Sequence, residues 1–224
     1  MSVSPGRYLP RVPKIYQLKV TLQGTHPPIW RRLLVPGNLN FERLHHVIQD
    51  AMGWDDCHLH SFDVNGVEIG RPALAPYVLR EPPRPEKQYT LDRVARITDR
   101  FTYLYDFGDS WTHEIVVEEV TTGELEAPRC LAGARACPPE DCGGVWRFAE
   151  LLRERAERMP EGPEGQDGQD EREGPDGLVD RVGERWSPER FDLAFADRLV
   201  ARHRPQPGQP RTVSRPRGRA RARA

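Results

Sequence analysis

The chain has 224 residues, with 33 Lys+Arg against 34 Asp+Glu and a formal charge of −1 at pH 7. That length suits one core-bearing domain with appendages, and no apolar run approaches the ~20 residues of a membrane span. The N-terminal MSVSPGRYLPRVPK has no apolar centre of the kind a secretory signal needs. A cytoplasmic protein is therefore expected, with Cys57, Cys130, Cys137 and Cys142 as reduced thiols.

The balanced charge hides an asymmetry. Residues 201–224 hold eight Arg and no acid, so the first 200 residues carry 25 basic against 34 acidic side chains, a net −9. An acidic body and a basic end require separate readings.

Residues 1–13 read as a flexible lead-in. Tyr16, Leu18, Val20 and Leu22 alternate with Gln17, Lys19 and Thr21, the pattern of a half-buried strand over Lys14 to Gln23. After Gly24-Thr25-His26-Pro27-Pro28, Ile29 to Val35 supplies the second strand of a hairpin. A helix is predicted from Phe41 to Met52, capped by Asn40 and stopped by Gly53, with Phe41, Leu44, Val47, Ile48 and Ala51 as its apolar stripe. Cys57 to Val64 and Val67 to Ile69 form a hairpin about Asn65-Gly66.

Pro72 to Gln88 is proline-rich and irregular, and Leu91 to Ile97 forms a short helix or turn. Phe101 to Asp106 and Trp111 to Val120 are strands joined by Phe107-Gly108-Asp109-Ser110. A Cys-, Pro- and Gly-rich segment, Pro128 to Gly144, leads into a helix from Trp146 to Arg158. Glu161 to Gly177 holds seven acids, one Arg and no apolar side chain, and reads as a disordered insert. Ser187-Pro188-Glu189 signals a last helix, with Phe191, Ala194, Phe195, Arg198 and Leu199 along one side. Residues 201–224 read as a disordered Arg-rich tail. This order predicts an α+β fold: a single compact domain of antiparallel hairpins with a few helices over residues 14–200.

Several stretches together resemble a known family. They are Ile29-Trp30-Arg31-Arg32, Leu44-His45-His46-Val47-Ile48-Gln49, Gly53-Trp54-Asp55-Asp56 with His58-Leu59-His60, Tyr103 to Trp111 with His113-Glu114, Cys130 to Gly144, and Trp186-Ser187-Pro188-Glu189. In this order they resemble the plasmid pRiA4b ORF-3-like family, whose members are also labelled insertion-element passenger TnpR proteins. The resemblance covers about residues 14–158 and 184–200. It implies a compact α+β domain of bacterial and archaeal proteins, carried near mobile elements, and it supplies no enzyme activity. The recombinase sense of TnpR is not supported, because Tyr16-Gln17-Leu18-Lys19-Val20 lacks the Arg and nucleophilic Ser of a serine recombinase strand.

Three clusters carry candidate chemistry. The first is Trp54, Asp55, His58 and His60. Two His at alternate strand positions point the same way and make workable metal ligands, or two hydrogen-bonded histidines at a core edge. The second is Asp106, Asp109, Trp111 and His113. There the acids bind a hard cation, orient His113, or accept backbone N–H bonds in a tight turn. The third is Glu140 and Asp141 within a C-x6-C-x4-C spacing that lacks a zinc-ribbon knuckle. The glycines that follow, Gly143-Gly144, present amides to an anion at a helix start.

The first functional reading is a non-catalytic binding or accessory protein. The alternatives are a metal-dependent hydrolase or nuclease, with zinc or another divalent ion on His58, His60, His113 and Asp109 and with Asp141 nearby, and a nucleic-acid binder. The last would use Arg211, Arg215, Arg217, Arg219, Arg221 and Arg223, which can neutralise phosphates without reading bases.

Overall fold

The computed structural model describes residues 12–71, 82–158 and 186–205. The first eleven residues, the acidic segment 161–177 and all six tail arginines named above lie outside the described residues.

The alternation read from the sequence builds the centre of the molecule. β1 (Lys14–Leu22) and β2 (Ile29–Pro36) pair antiparallel, with Tyr16, Leu18, Val20, Leu22, Ile29, Leu33 and Val35 buried on one face. α1 (Phe41–Met52) follows. Asn40 Oδ1 accepts from the Arg43 amide at 2.9 Å, and Gly53 at φ +103° closes the helix as left-handed geometry demands. β3 (His60–Val64) and β4 (Val67–Gly70) form a hairpin whose turn residues, Asn65 and Gly66, both take positive φ. β5 (Arg84–Pro85), α2 (Leu91–Val94), β6 (Arg100–Tyr105), β7 (Trp111–Thr122) and β8 (Arg129–Ala134) complete the sheet region. α3 (Gly144–Arg158) and α4 (Leu193–Val200) follow.

The eight strands form one sheet in the order β5-β4-β3-β6-β7-β1-β2-β8. Neighbours are antiparallel except for the short β4–β5 pair. With four α-helices among the described residues this is the α+β domain the hairpin pattern predicts. One core joins the sheet's inner face to α1, to Phe148 of α3 and to Ala196 and Val200 of α4. No helix of the described residues is long and apolar enough to cross a membrane.

Three elements differ from the sequence reading. β3 starts at His60 rather than Cys57, because the Cys57 amide donates to the Tyr105 hydroxyl at 3.2 Å instead of entering a strand ladder. The first half of the Cys-, Pro- and Gly-rich segment is the edge strand β8, laid along β2 with a register shift at Arg32/Leu33. The last helix begins at Leu193, with Asp192 Oδ1 accepting from the Phe195 amide at 2.8 Å, and buries Ala196, Leu199 and Val200. Ser187 to Arg190 is spent on a turn, in which the Pro188 carbonyl accepts from Ala136 at 3.0 Å.

Arg31 faces inward from β2 and is 1% exposed. Its guanidinium donates to the carbonyls of Ala51 (2.6 Å) and Met52 (3.3 Å) at the C-terminal end of α1. It also donates to those of Trp30, Ala134 and Arg135, at 2.8, 2.9 and 2.8 Å. The Phe191 ring covers it at 4.0 Å. Burial lowers its pKa to about 10, so it stays charged at neutral pH. Carbonyl dipoles and the negative helix end stand in for a carboxylate partner. One side chain thereby ties α1, β2, β8 and the segment before α4 together.

Candidate functional site

Beneath α1 lies a closed ring of hydrogen bonds. Gln49 Nε2 donates to the Tyr103 hydroxyl at 2.8 Å. That hydroxyl is 2.7 Å from His45 Nδ1, and His45 Nε2 is 2.7 Å from Asp56 Oδ1. The Asp56 amide donates back to Gln49 Oε1 at 2.9 Å. Burial, with the His60 ring stacked 3.5 Å away, holds the His45 pKa far below its ordinary value. Neutral His45 then accepts from Tyr103 at Nδ1 and donates to Asp56 from Nε2. The ring holds Asp56 at φ +55°, and that left-handed residue directs the chain into Cys57 and His58.

His58 lies where three segments meet: the approach to β3, the β6–β7 turn and the loop before α3. Its Nε2 is 3.0 Å from Asp141 Oδ1, 3.7 Å from Asp106 Oδ2 and 3.8 Å from Glu140 Oε2. None of these contacts has hydrogen-bond geometry. His58 Nε2 and Glu140 Oε2 are both buried atoms with no hydrogen-bond partner among the described residues. Such orphaned atoms require an explanation in a folded protein.

The carboxylates are themselves positioned. Asp106 Oδ1 accepts from the Gly108 amide at 2.9 Å. Glu140 Oε1 accepts from the Asp55 amide at 2.7 Å and the Tyr105 hydroxyl at 3.0 Å. Asp106 and Asp141 sit at φ +54°, a conformation uncommon for residues with a Cβ. Burial raises the Glu140 pKa despite the Asp55 amide, the Tyr105 hydroxyl and the nearby His58. Burial also raises the Cys57 thiol and Tyr105. Asp141, with 74% of its side chain exposed, opens the site to solvent.

The other sequence candidates go elsewhere. His60 Nε2 is 2.8 Å from Glu86 Oε2, away from His58. Burial alone would raise Glu86, but the hydrogen bond and charge of His60, with Arg71 at 3.3 Å, leave its pKa lowered. His113 is fully buried. Its Nδ1 faces the Trp111 and Tyr103 carbonyls at 3.0 and 3.3 Å, and Trp54 Nε1 donates to its Nε2 at 3.4 Å. Trp54 and Trp111 pack against each other with centroids 5.5 Å apart.

Asp109 Oδ2 accepts from the Gly143 amide at 2.9 Å, so the amide seen in the sequence as an anion contact is met by the protein's own carboxylate. Gly144, at φ +76°, lets α3 start against this turn, where a Cβ would fall 2.7 Å from the Asp109 carbonyl oxygen. His58, His60, His113 and Asp109 thus do not surround one ion. Among the described residues, the groups of three that bring ligand atoms within 4.8 Å of one another are His58/Asp106/Asp141, Cys57/His58/Glu140 and His45/His46/Asp56.

The roles of His45, Gln49, Asp56 and Glu86 escaped the sequence reading. A polar pair inside a helix's apolar stripe, here His45 and Gln49 beside Leu44 and Ile48, is the signal that could have pointed to them. His203 escaped too, since it lies in the basic end: its Nε2 is 2.7 Å from Asp50 Oδ2, tying the stretch after α4 to α1.

Fold and site together define a single-sheet α+β domain with a solvent-open His–carboxylate cluster at one end of the sheet. Residues 14–194 match the family described as plasmid pRiA4b ORF-3-like protein, and the chain belongs to that family. It is 36% identical over 153 residues to the uncharacterized protein y4hQ of Sinorhizobium fredii, covering 67% of this chain and 77% of the relative. It is also similar to the crystal structure of a protein of unknown function, MM3350, from Methanosarcina mazei Go1. That match has a TM-score of 0.64 and 34% identity, covering 83% of this chain and 97% of the other.

Proposed function

We propose that this protein is a non-catalytic binding protein whose ligand carries positive charge and docks at the His58 end of the sheet. The observation that carries the reading is the pair of orphaned buried atoms, His58 Nε2 and Glu140 Oε2, facing carboxylates delivered by separate segments. A positively charged guest satisfies such a set, whereas an anion meets repulsion. The non-catalytic half of the reading is supported by the sequence, which carries no Gly-x-Ser-x-Gly elbow, His-Glu-x-x-His helix or dinucleotide-binding glycine fingerprint. A cytoplasmic setting near mobile elements belongs to the same proposal.

The test is a thermal-shift screen of the full chain against divalent metals, alkylammonium and guanidinium compounds, repeated on Asp141→Asn. Stabilisation of wild type that shrinks in the variant supports the reading. No stabilisation by any cation refutes it.

A second reading concerns the basic end, favoured by eight Arg and no acid over residues 201–224. As a polycation it binds nucleic acid through phosphates and without sequence preference. Mobility shifts on unrelated DNA should be lost on truncation after Pro205, which keeps the His203 contact, and should weaken steeply with salt. Absence of binding at low ionic strength refutes it.

A further inference from the structure

We infer that the His58 site takes a divalent first-row transition metal, held by His58 Nε2 with carboxylate oxygens of Asp106 and Asp141, and with the Glu140 carboxylate beside His58 adding negative charge. The inference rests on the cation reading above and narrows it to one ligand class.

The first argument is spacing. Tetrahedral ligands at bond lengths of about 2.0–2.1 Å stand ~3.3 Å apart. The Asp141 and Asp106 oxygens stand 3.0 and 3.7 Å from His58 Nε2, which brackets that value, and the three ligand atoms lie within 4.8 Å of one another.

The second is the division of labour within two of the carboxylates. Asp106 and Glu140 each give one oxygen to a backbone amide and turn the other toward His58. Outer hydrogen bonds of this kind orient ligands before a metal arrives.

The third is donor character. Lone pairs of one imidazole and two carboxylates converge, and an ammonium guest would leave the imidazole competing for a proton. The nitrogen ligand disfavours calcium and magnesium, and the oxygens disfavour soft monovalent copper.

The experiment is calorimetric titration of the chelator-treated full chain with Zn2+ and Mn2+, with Mg2+ and Ca2+ as controls. The expected result is one stoichiometric transition-metal site, weakened at least tenfold in His58→Ala and in Asp141→Asn. Asp141 is largely exposed, so its variant guards against a folding failure of the first. His46→Ala probes the separate His45/His46/Asp56 group and should leave affinity unchanged.

Metal affinity lost in His46→Ala and kept in His58→Ala overturns the assignment. So does the absence of stoichiometric metal. If organic cations still stabilise the protein in an Asp141-dependent way, the metal inference falls and the binding reading stands. If no cation binds at all, both fall together.

Discussion

His113 should make the protein acid-sensitive in a defined window. Its Nδ1 proton points at two carbonyls, and its Nε2 accepts the Trp54 indole N–H at 3.4 Å. Protonating Nε2 would set two donors face to face in a site without solvent. Burial lowers the pKa to about 4 from the ordinary 6.5, against the opposing pull of the two carbonyls. A depressed folded pKa contributes stability that is present above 6.5 and is lost as pH falls toward 4. The difference corresponds to about 3 kcal/mol, a large share of the ~5–15 kcal/mol that holds a domain folded.

Urea unfolding at pH 7 and pH 4, followed by tryptophan fluorescence, measures it in wild type and His113→Gln. The variant should start about 1–2 kcal/mol less stable at pH 7. It should then lose about 3 kcal/mol less than wild type on acidification. His45 and the carboxylates titrate in both proteins and cancel in the comparison. Equal losses in the two proteins would refute the assignment of the pH dependence to His113.

Tyr103→Phe orphans His45 Nδ1 and Gln49 Nε2 together, and should cost about 2–3 kcal/mol in chemical denaturation; a loss under 1 kcal/mol would mean the ring is replaceable. Arg31→Lys keeps the charge but cannot span five carbonyls, and should cost at least ~3 kcal/mol by the same measurement. Gly144→Ala forces a Cβ toward the Asp109 carbonyl at positive φ. It should lower the thermal midpoint by several degrees, for a cost of ~1–3 kcal/mol, and a neutral outcome would show that the turn can move away.

The elements that were legible in the sequence are those whose signals are local. The β1 and β2 alternation, the Asn40-to-Gly53 frame of α1 and the Asn65-Gly66 turn are fixed by residues within a few positions of each other. The start of β3 was not legible, since it depends on Tyr105, 48 residues from Cys57. The last helix misled for a related reason. Ser187-Pro188 is a sound start signal, but the Phe191 ring is drawn onto Arg31, and Asp192 takes the cap instead. The candidate residues were named in the sequence, but their grouping was not. His58 and His60 have the spacing of a ligand pair, but the strand that would align them begins only at His60, two residues beyond His58.

The rims of the sheet have a consequence for how copies of this chain meet. At one rim, α4 lends Asp197 to β8: its carboxylate accepts from the Cys130 amide at 2.9 Å and pairs with Arg129 at 2.7 Å. At the other rim, β5 is two residues long and ends in Pro85, which has no N–H to donate. One border thus has a backbone donor taken by a side chain, and the other is short and ends in a residue without one. Edge-to-edge templating, the route by which open sheets grow into fibrils, is therefore disfavoured at Cys130 on one border and at Pro85 on the other.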